Sequence, residues 1–127
     1  MEFNLKRGLN STVQITVEEK DTAVAHGSGD LKVLATPAMI ALMERASKYS
    51  LKPYLDEETT TVGIAIDIKH LKATPLGKKV KAEAILDKID GKKLFFNIEA
   101  WDEKGKVGEG THIRYIVNSK KFMEKLK

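Results

Sequence analysis

Hydrophobic and polar residues alternate over much of this chain, and the period changes in one place. Val13, Ile15 and Val17 alternate with Thr12, Gln14 and Thr16, the two-residue period of a half-buried strand. Further on, Val62, Ile64, Ile66, Ile68 and His70 form one row, and Thr61, Gly63, Ala65, Asp67 and Lys69 form the other. Strict alternation places His70 at the end of the apolar row. Strands are predicted again over residues 79–89, 94–101 and 107–117. Asp90-Gly91 is a hairpin signal; Glu103-Lys104-Gly105 and Ala73-Thr74-Pro75-Leu76-Gly77 read as turns. Gly108 and Gly110 inside the last strand mark either a bulge or a close backbone approach. Gly8 breaks the mixed first ten residues, and Ser119 opens a short amphipathic tail.

The alternation gives way over residues 34–49. Thr36-Pro37 is a helix start: a threonine oxygen caps free N–H groups, and proline at the first helical position loses no needed bond. Residues 38–43 include no polar side chain, so the helix is expected to be buried on every side. It ends near residues 49–51, ahead of Lys52-Pro53. Before it, residues 18–30 carry charges and then Gly27-Ser28-Gly29, and the end of this stretch reads as a mobile loop over the helix start. Strand, buried helix and four strands joined mostly by tight turns make an α+β meander, a curved antiparallel sheet around one helix.

Composition narrows the functions. The chain has 127 residues, enough for one domain over residues 1–127 with a real core. It has no cysteine, which excludes disulfides, thiolate metal sites and a cysteine nucleophile. Three separated histidines make a metal cluster unexpected. Against 18 acidic residues stand 22 basic ones, net +4. The lysines are scattered and the few aromatics are not interleaved with them, so a nucleic-acid groove ranks last among the readings. With no signal peptide and no 18-residue apolar run, the expectation is a soluble cytoplasmic protein.

Three residues carry chemistry: Thr36, Glu44 and His70. Hydroxyl, imidazole and carboxylate are the kit for acyl transfer. The helix N-terminus adds a positive dipole end for an oxyanion, with Ala38 and Met39 as the usable N–H donors after Pro37. Glu44 follows Thr36 by eight residues, roughly 12 Å along the axis at 1.5 Å per residue. Its side chain leans back toward Thr36, and a water, a substrate carbonyl or His70 would fill the gap. Each residue also has a plain reading. Thr36 can be only an N-cap, Glu44 can pair with Arg45 or Lys48, His70 can be structural, and Gly63 can mark a bulge.

The runs Val33-Leu34-Ala35-Thr36-Pro37-Ala38-Met39 through Leu42-Met43-Glu44, Thr61-Val62-Gly63 through His70, Ala73-Thr74-Pro75-Leu76-Gly77 and Gly108-Glu109-Gly110-Thr111-His112 with Arg114 resemble the fluoroacetyl-CoA thioesterase-like branch of the hot-dog-fold thioesterases. The resemblance implies a hot-dog fold and hydrolysis of an acyl-CoA with a small acyl group. Thr36, Glu44 and His70 would be catalytic, with backbone at Gly63 and the side chain of Arg114 near the acyl group. It further implies a homodimer (a tetramer is the larger option), with sheets continued across chains and the site near the interface. No cofactor is implied, since CoA is part of the substrate; neither nucleic acid nor membrane is expected as a partner. Lys69, Lys72, Lys78, Lys79, Lys92 and Lys93 are candidates for the CoA phosphates. The chain departs from the branch at Gly27 and Asp30, which replace lid phenylalanines, and at Pro37 and Arg45. Acyl-CoA hydrolysis is therefore expected, without fluoroacyl selectivity. The competing reading is a non-catalytic binder of CoA esters or another acyl ligand on the same fold.

Overall fold

The computed structural model describes residues 3–127; the first two residues of the mixed N-terminal segment lie outside them. Five strands form one antiparallel sheet: β1 (Asn10–Thr16), β2 (Thr59–His70), β3 (Lys79–Asp90), β4 (Lys93–Asp102) and β5 (Gly105–Asn118). Among the described residues three α-helices accompany them: α1 (Ala23–His26), α2 (Thr36–Leu51) and α3 (Ser119–Glu124). The predicted strands and the central helix are present, and Gly91 turns the β3–β4 hairpin at positive φ. The sheet order is β1-β3-β4-β5-β2, so the expected meander covers only β3, β4 and β5. Residues 71–78 do not turn between neighbouring strands. They carry the chain from the β2 edge across to β3, and long-range pairing of this kind leaves no local signal. The short helix α1 precedes the Gly27-Ser28-Gly29 stretch expected to be a mobile loop. Thr22 Oγ1 caps it by accepting the Ala25 N–H, and Gly27 closes it in the left-handed conformation.

Helix α2 packs its side chains at Ala38, Met39, Leu42, Met43, Ala46 and Leu51 into the core against the sheet. The facing residues include Val80, Ala82, Ala84, Phe96, Ile98 and Ala100. Small alanines in β3 let the helix lie close, and each fully buried Leu or Met contributes about 1.5–3 kcal/mol. The helix is not buried all round, however. Ala41 and Arg45 are exposed and Ile40 is half-buried, because one layer of sheet covers only one face. No helix among the described residues is long and apolar enough to cross a membrane.

The strand β2 departs from strict alternation. Its register with β5 shifts between Gly63 and Ala65. An extra residue in one strand reverses which side chains face inward. Thr61, paired with Ile116, and Gly63, paired with Arg114, face the core before the bulge. Ile66, Ile68 and His70 face it afterwards, opposite His112, Gly110 and Gly108. The expected single row of Val62, Ile64, Ile66, Ile68 and His70 is thus correct only from Ile66 onward, and Gly63 shares the face of His70. Gly110 is a close approach, and Gly108 is both: the β4–β5 register shifts between Ala100, opposite Gly108, and Trp101, opposite Lys106. A Cβ at Gly110 would meet the Asp67 carbonyl oxygen at 2.0 Å, and one at Gly108 would meet the Met39 sulfur at 2.5 Å. β2 pairs only with β5, and its residues 63–67 are exposed on the open edge.

Candidate active site

Helix α2 begins beside the end of β2 because the chain on both sides is tied down. The Leu34 N–H donates to the Thr74 carbonyl and the Ala35 N–H to the Asp21 carbonyl. The Leu71 N–H, just past β2, donates to the Val107 carbonyl. Between these anchors Thr36 Oγ1 lies 2.8 Å from His70 Nδ1. The N-cap of α2 is Ala35, which makes no side-chain cap bond. Thr36 is already the first helical residue, so its hydroxyl is free of capping and is held by the imidazole instead. The plain reading of Thr36 as a cap is set aside by this geometry. With the threonine O–H donating, Nδ1 is the unprotonated nitrogen, able to accept that proton. His70 Nε2 is buried and has no hydrogen-bond partner among the described residues. Burial lowers the His70 pKa from its usual 6.5, with the Lys72 main chain pulling weakly the other way, so the imidazole is neutral near pH 7 and fit to act as a base.

Glu44 stands elsewhere. Its Oε2 is 4.0 Å from Arg114 Nη1, and it lies under Gly63, where a Cβ would meet it at 2.8 Å. It makes neither an ion pair nor a hydrogen bond with His70 among the described residues, so the expected reach toward Thr36 and His70 within one chain is not realised. The reason is spacing: Gly63 and His70 are seven residues apart on an extended strand, on the order of 20 Å. The plain pairing of Glu44 with Arg45 or Lys48 is not seen either.

Arg114 is buried and well held. Its Nε donates to Thr61 Oγ1 at 2.7 Å, its Nη2 to the Thr61 carbonyl at 3.0 Å, and its Nη1 to His112 Nε2 at 3.1 Å. His112 in turn donates from Nδ1 to the Ala65 carbonyl at 2.7 Å. Burial is the main cause lowering the pKa of both His112 and Arg114. His112 is therefore neutral, which suits an acceptor for a guanidinium. Thr61 and His112 were missed as members of this cluster. The available signal was the inward row of His112, Arg114 and Ile116 in an otherwise half-polar strand.

Each chain thus carries two parts: a hydroxyl–imidazole pair at the start of α2, and a carboxylate beside a fixed guanidinium and an open glycine backbone. The Met39 N–H is committed to the Ala35 carbonyl, which removes one of the two oxyanion donors expected from the sequence. Of the two, the Ala38 N–H makes no backbone hydrogen bond among the described residues and remains available. A hollow of about 350 Å³ opens over Thr36 and His70, walled by Val33, Leu34, Leu71 and Ala73.

The family model described as fluoroacetyl-CoA-specific thioesterase matches residues 17–120. The fluoroacetyl-CoA thioesterase of Streptantibioticus cattleyicolor is 35% identical over 96 residues, 76% of this chain and 69% of that protein. Among solved structures, the fluoroacetyl-CoA thioesterase FlK superposes with a TM-score of 0.91 at 29% identity, covering 97% of this chain and 96% of that one. A mutant of FlK in complex with acetyl-CoA gives 0.91 at 29% identity over 96% of each chain. A Thermus thermophilus member of the thioesterase superfamily shares the fold at 0.87, 24% identity, over 95% of this chain and 90% of that one. The hot-dog architecture is therefore the one this sequence adopts, and the chain belongs to the fluoroacetyl-CoA-specific thioesterase family.

Proposed function

We propose that this thioester hydrolase cleaves a small acyl-CoA, with Thr36 as the hydroxyl that meets the thioester carbonyl and His70 as its base. The observation that carries the reading is the 2.8 Å approach of Thr36 Oγ1 to His70 Nδ1 at a helix start. Nδ1 takes the proton as the hydroxyl oxygen, or a water it positions, attacks the carbonyl carbon. The same proton returns to the departing CoA thiolate; where the hydroxyl has attacked, a water that gives its proton to Nδ1 then cleaves the Thr36 ester and releases the acid. The Ala38 N–H and the dipole of α2 face the developing oxyanion. The modest hollow over the pair favours a short acyl group, in keeping with a relative named for a two-carbon one.

The same proposal places the working enzyme as a homodimer. The edge of β2 leaves backbone groups unpaired and Ile64 and Ile66 exposed, a surface suited to antiparallel pairing with a second copy. Pairing through residues 63–67 turns the Gly63 end of one strand toward the His70 end of the other. Glu44, Gly63 and Arg114 of one chain then face Thr36 and His70 of its partner. Glu44 serves there to orient His70, whose Nε2 lacks an acceptor, or to steer the attacking water. The non-catalytic binder requires Thr36 to act as a cap. Ala35 holds that position, which favours catalysis.

The test is thiol release from a panel of acyl-CoAs, acetyl to long-chain and aryl, by the wild type. Turnover concentrated in the short acyl groups supports the reading. Binding of acyl-CoA without release of thiol from any of them would leave only the binder.

A further inference from the structure

We propose that the hollow rimmed by Lys72, Lys78 and Lys104 receives the phosphate groups of the CoA moiety, an inference that rests on the acyl-CoA reading above. This hollow, about 300 Å³, adjoins the one over Thr36 and His70, and the two share Lys72 and Ala73. A substrate whose thioester lies at Thr36 and whose tail leaves past Lys72 and Ala73 meets these lysines.

The rim joins the crossover and the β4–β5 turn, two distant parts of the chain, through one buried carboxylate. Asp102, whose side chain is 5% exposed, accepts from Lys72 Nζ just beyond β2. It also accepts from Thr74 Oγ1 in the crossover at 2.9 Å and from the Lys104 N–H in the β4–β5 turn at 2.8 Å. Burial pushes the Asp102 carboxyl up, but these hydrogen bonds outweigh it and hold the pKa below its usual range. Asp102 thus stays charged, and its oxygens are occupied by the scaffold. Lys78 and Lys104 are exposed, and neither has a carboxylate within salt-bridge distance among the described residues. Glu103 also stands on the rim and is the one exposed counter-charge there. Two free ammonium groups, with a third tethered beside them, suit a polyanion whose charge exceeds that of a single carboxylate.

Three other lysines are set aside. Lys92 and Lys93 sit at the far end of β4 from the Lys104 turn, about 30 Å away along an extended strand. Lys106 is engaged by Glu99 and Glu109. Lys104, which no sequence pattern singles out, enters through the turn.

The experiment compares the wild type with the double variants Lys78→Ala/Lys104→Ala and Lys92→Ala/Lys93→Ala, which lose the same charge. Each is titrated calorimetrically with 3′,5′-adenosine diphosphate and assayed on one acyl group carried by CoA and by N-acetylcysteamine, which lacks the nucleotide. The expected result for Lys78→Ala/Lys104→Ala is a KM for acyl-CoA and a Kd for the nucleotide each raised about tenfold. The kcat stays within about twofold and the N-acetylcysteamine kinetics are unchanged, since a nucleotide contact is uniform binding. Lys92→Ala/Lys93→Ala matches the wild type. Unchanged nucleotide affinity in Lys78→Ala/Lys104→Ala overturns the site, as does an equal loss in Lys92→Ala/Lys93→Ala or no nucleotide binding by the wild type. If the wild type binds the nucleotide through Lys78 and Lys104 yet hydrolyses neither thioester, the phosphate site stands and the hydrolytic reading falls.

Discussion

Gly63 lies directly over the carboxylate of Glu44: a Cβ at position 63 would stand 2.8 Å from Glu44 Oε2 and 3.1 Å from His112 Cε1. Only glycine leaves Glu44 room beside Arg114. The atom in the way is the end of a flexible side chain, so Gly63→Ala is expected to cost about 1 kcal/mol of stability or less while displacing the carboxylate. Its kcat should fall at least about tenfold with Tm nearly unchanged. Gly110→Ala is the contrast. There the new methyl meets the backbone carbonyl of Asp67 at 2.0 Å, which cannot swing aside, and a loss of about 3 kcal/mol or more is expected. Thermal unfolding of the two variants together with their kcat values checks the difference.

Activity should rise with pH along an acid limb set by His70. Burial lowers its pKa from 6.5, so the neutral, proton-accepting form persists below pH 6.5 in the folded enzyme. The limb in kcat/KM is therefore expected to inflect below 6.5 and to vanish from the residual activity of His70→Ala. Stability carries the same sign. His70 and His112 both have folded pKa values below their unfolded ones. Their contribution is fully present above the unfolded value of 6.5 and is lost as pH falls toward the folded values. Unfolding free energy measured from pH 8 to pH 5 should decline below about 6.5. An inflection above 7 in the rate profile would contradict the assignment.

Arg114 entered as a substrate contact and is also a structural anchor. Arg114→Ala would strip Thr61 and His112 of their buried partner. The expected cost is about 2–3 kcal/mol, a Tm lowered by roughly 10 °C. Activity loss in this variant therefore needs a stability measurement beside it. A Tm shift under about 2 °C would show that the network contributes little.

How far the sequence reached depended on whether the cause was local. The two-residue period found β1 and β2, the hairpin and turn signals bounded β3, β4 and β5, and the apolar run with Thr36-Pro37 found α2, because all these signals lie in neighbouring residues. The pairing of Thr36 with His70 followed from reading each at the end of its element. What was misplaced needed long-range knowledge. The bulge after Gly63 reversed the facing of Val62 and Ile64, and only the glycine hinted at it. The sheet order put β2 at the edge, which no turn residue encodes. Glu44 fell beside Gly63 and Arg114, because the helix and β2 cross at a geometry that spacing along one helix cannot supply. Thr36 moved from cap to first helical residue because the extended Ala35 takes the cap position.

If Glu44 serves the neighbouring chain, two inactive variants should rescue each other. Thr36→Ala and Glu44→Gln chains mixed, unfolded and refolded together form a heterodimer with one intact site. Random pairing makes half of the dimers mixed, so recovery of roughly a quarter of wild-type kcat is expected from a symmetric two-chain site. Recovery no greater than the sum of the separate variants would place Glu44 with the Thr36 of its own chain.

The most direct measurement is kcat on the best acyl-CoA for wild type, Thr36→Ser, Thr36→Ala and His70→Ala, each with its Tm. The hydroxyl–imidazole pair requires Thr36→Ala and His70→Ala to lose about 10²–10⁴-fold while staying folded, and Thr36→Ser to keep most of the activity. Turnover by folded Thr36→Ala within about threefold of wild type would contradict it and return Thr36 to a structural role.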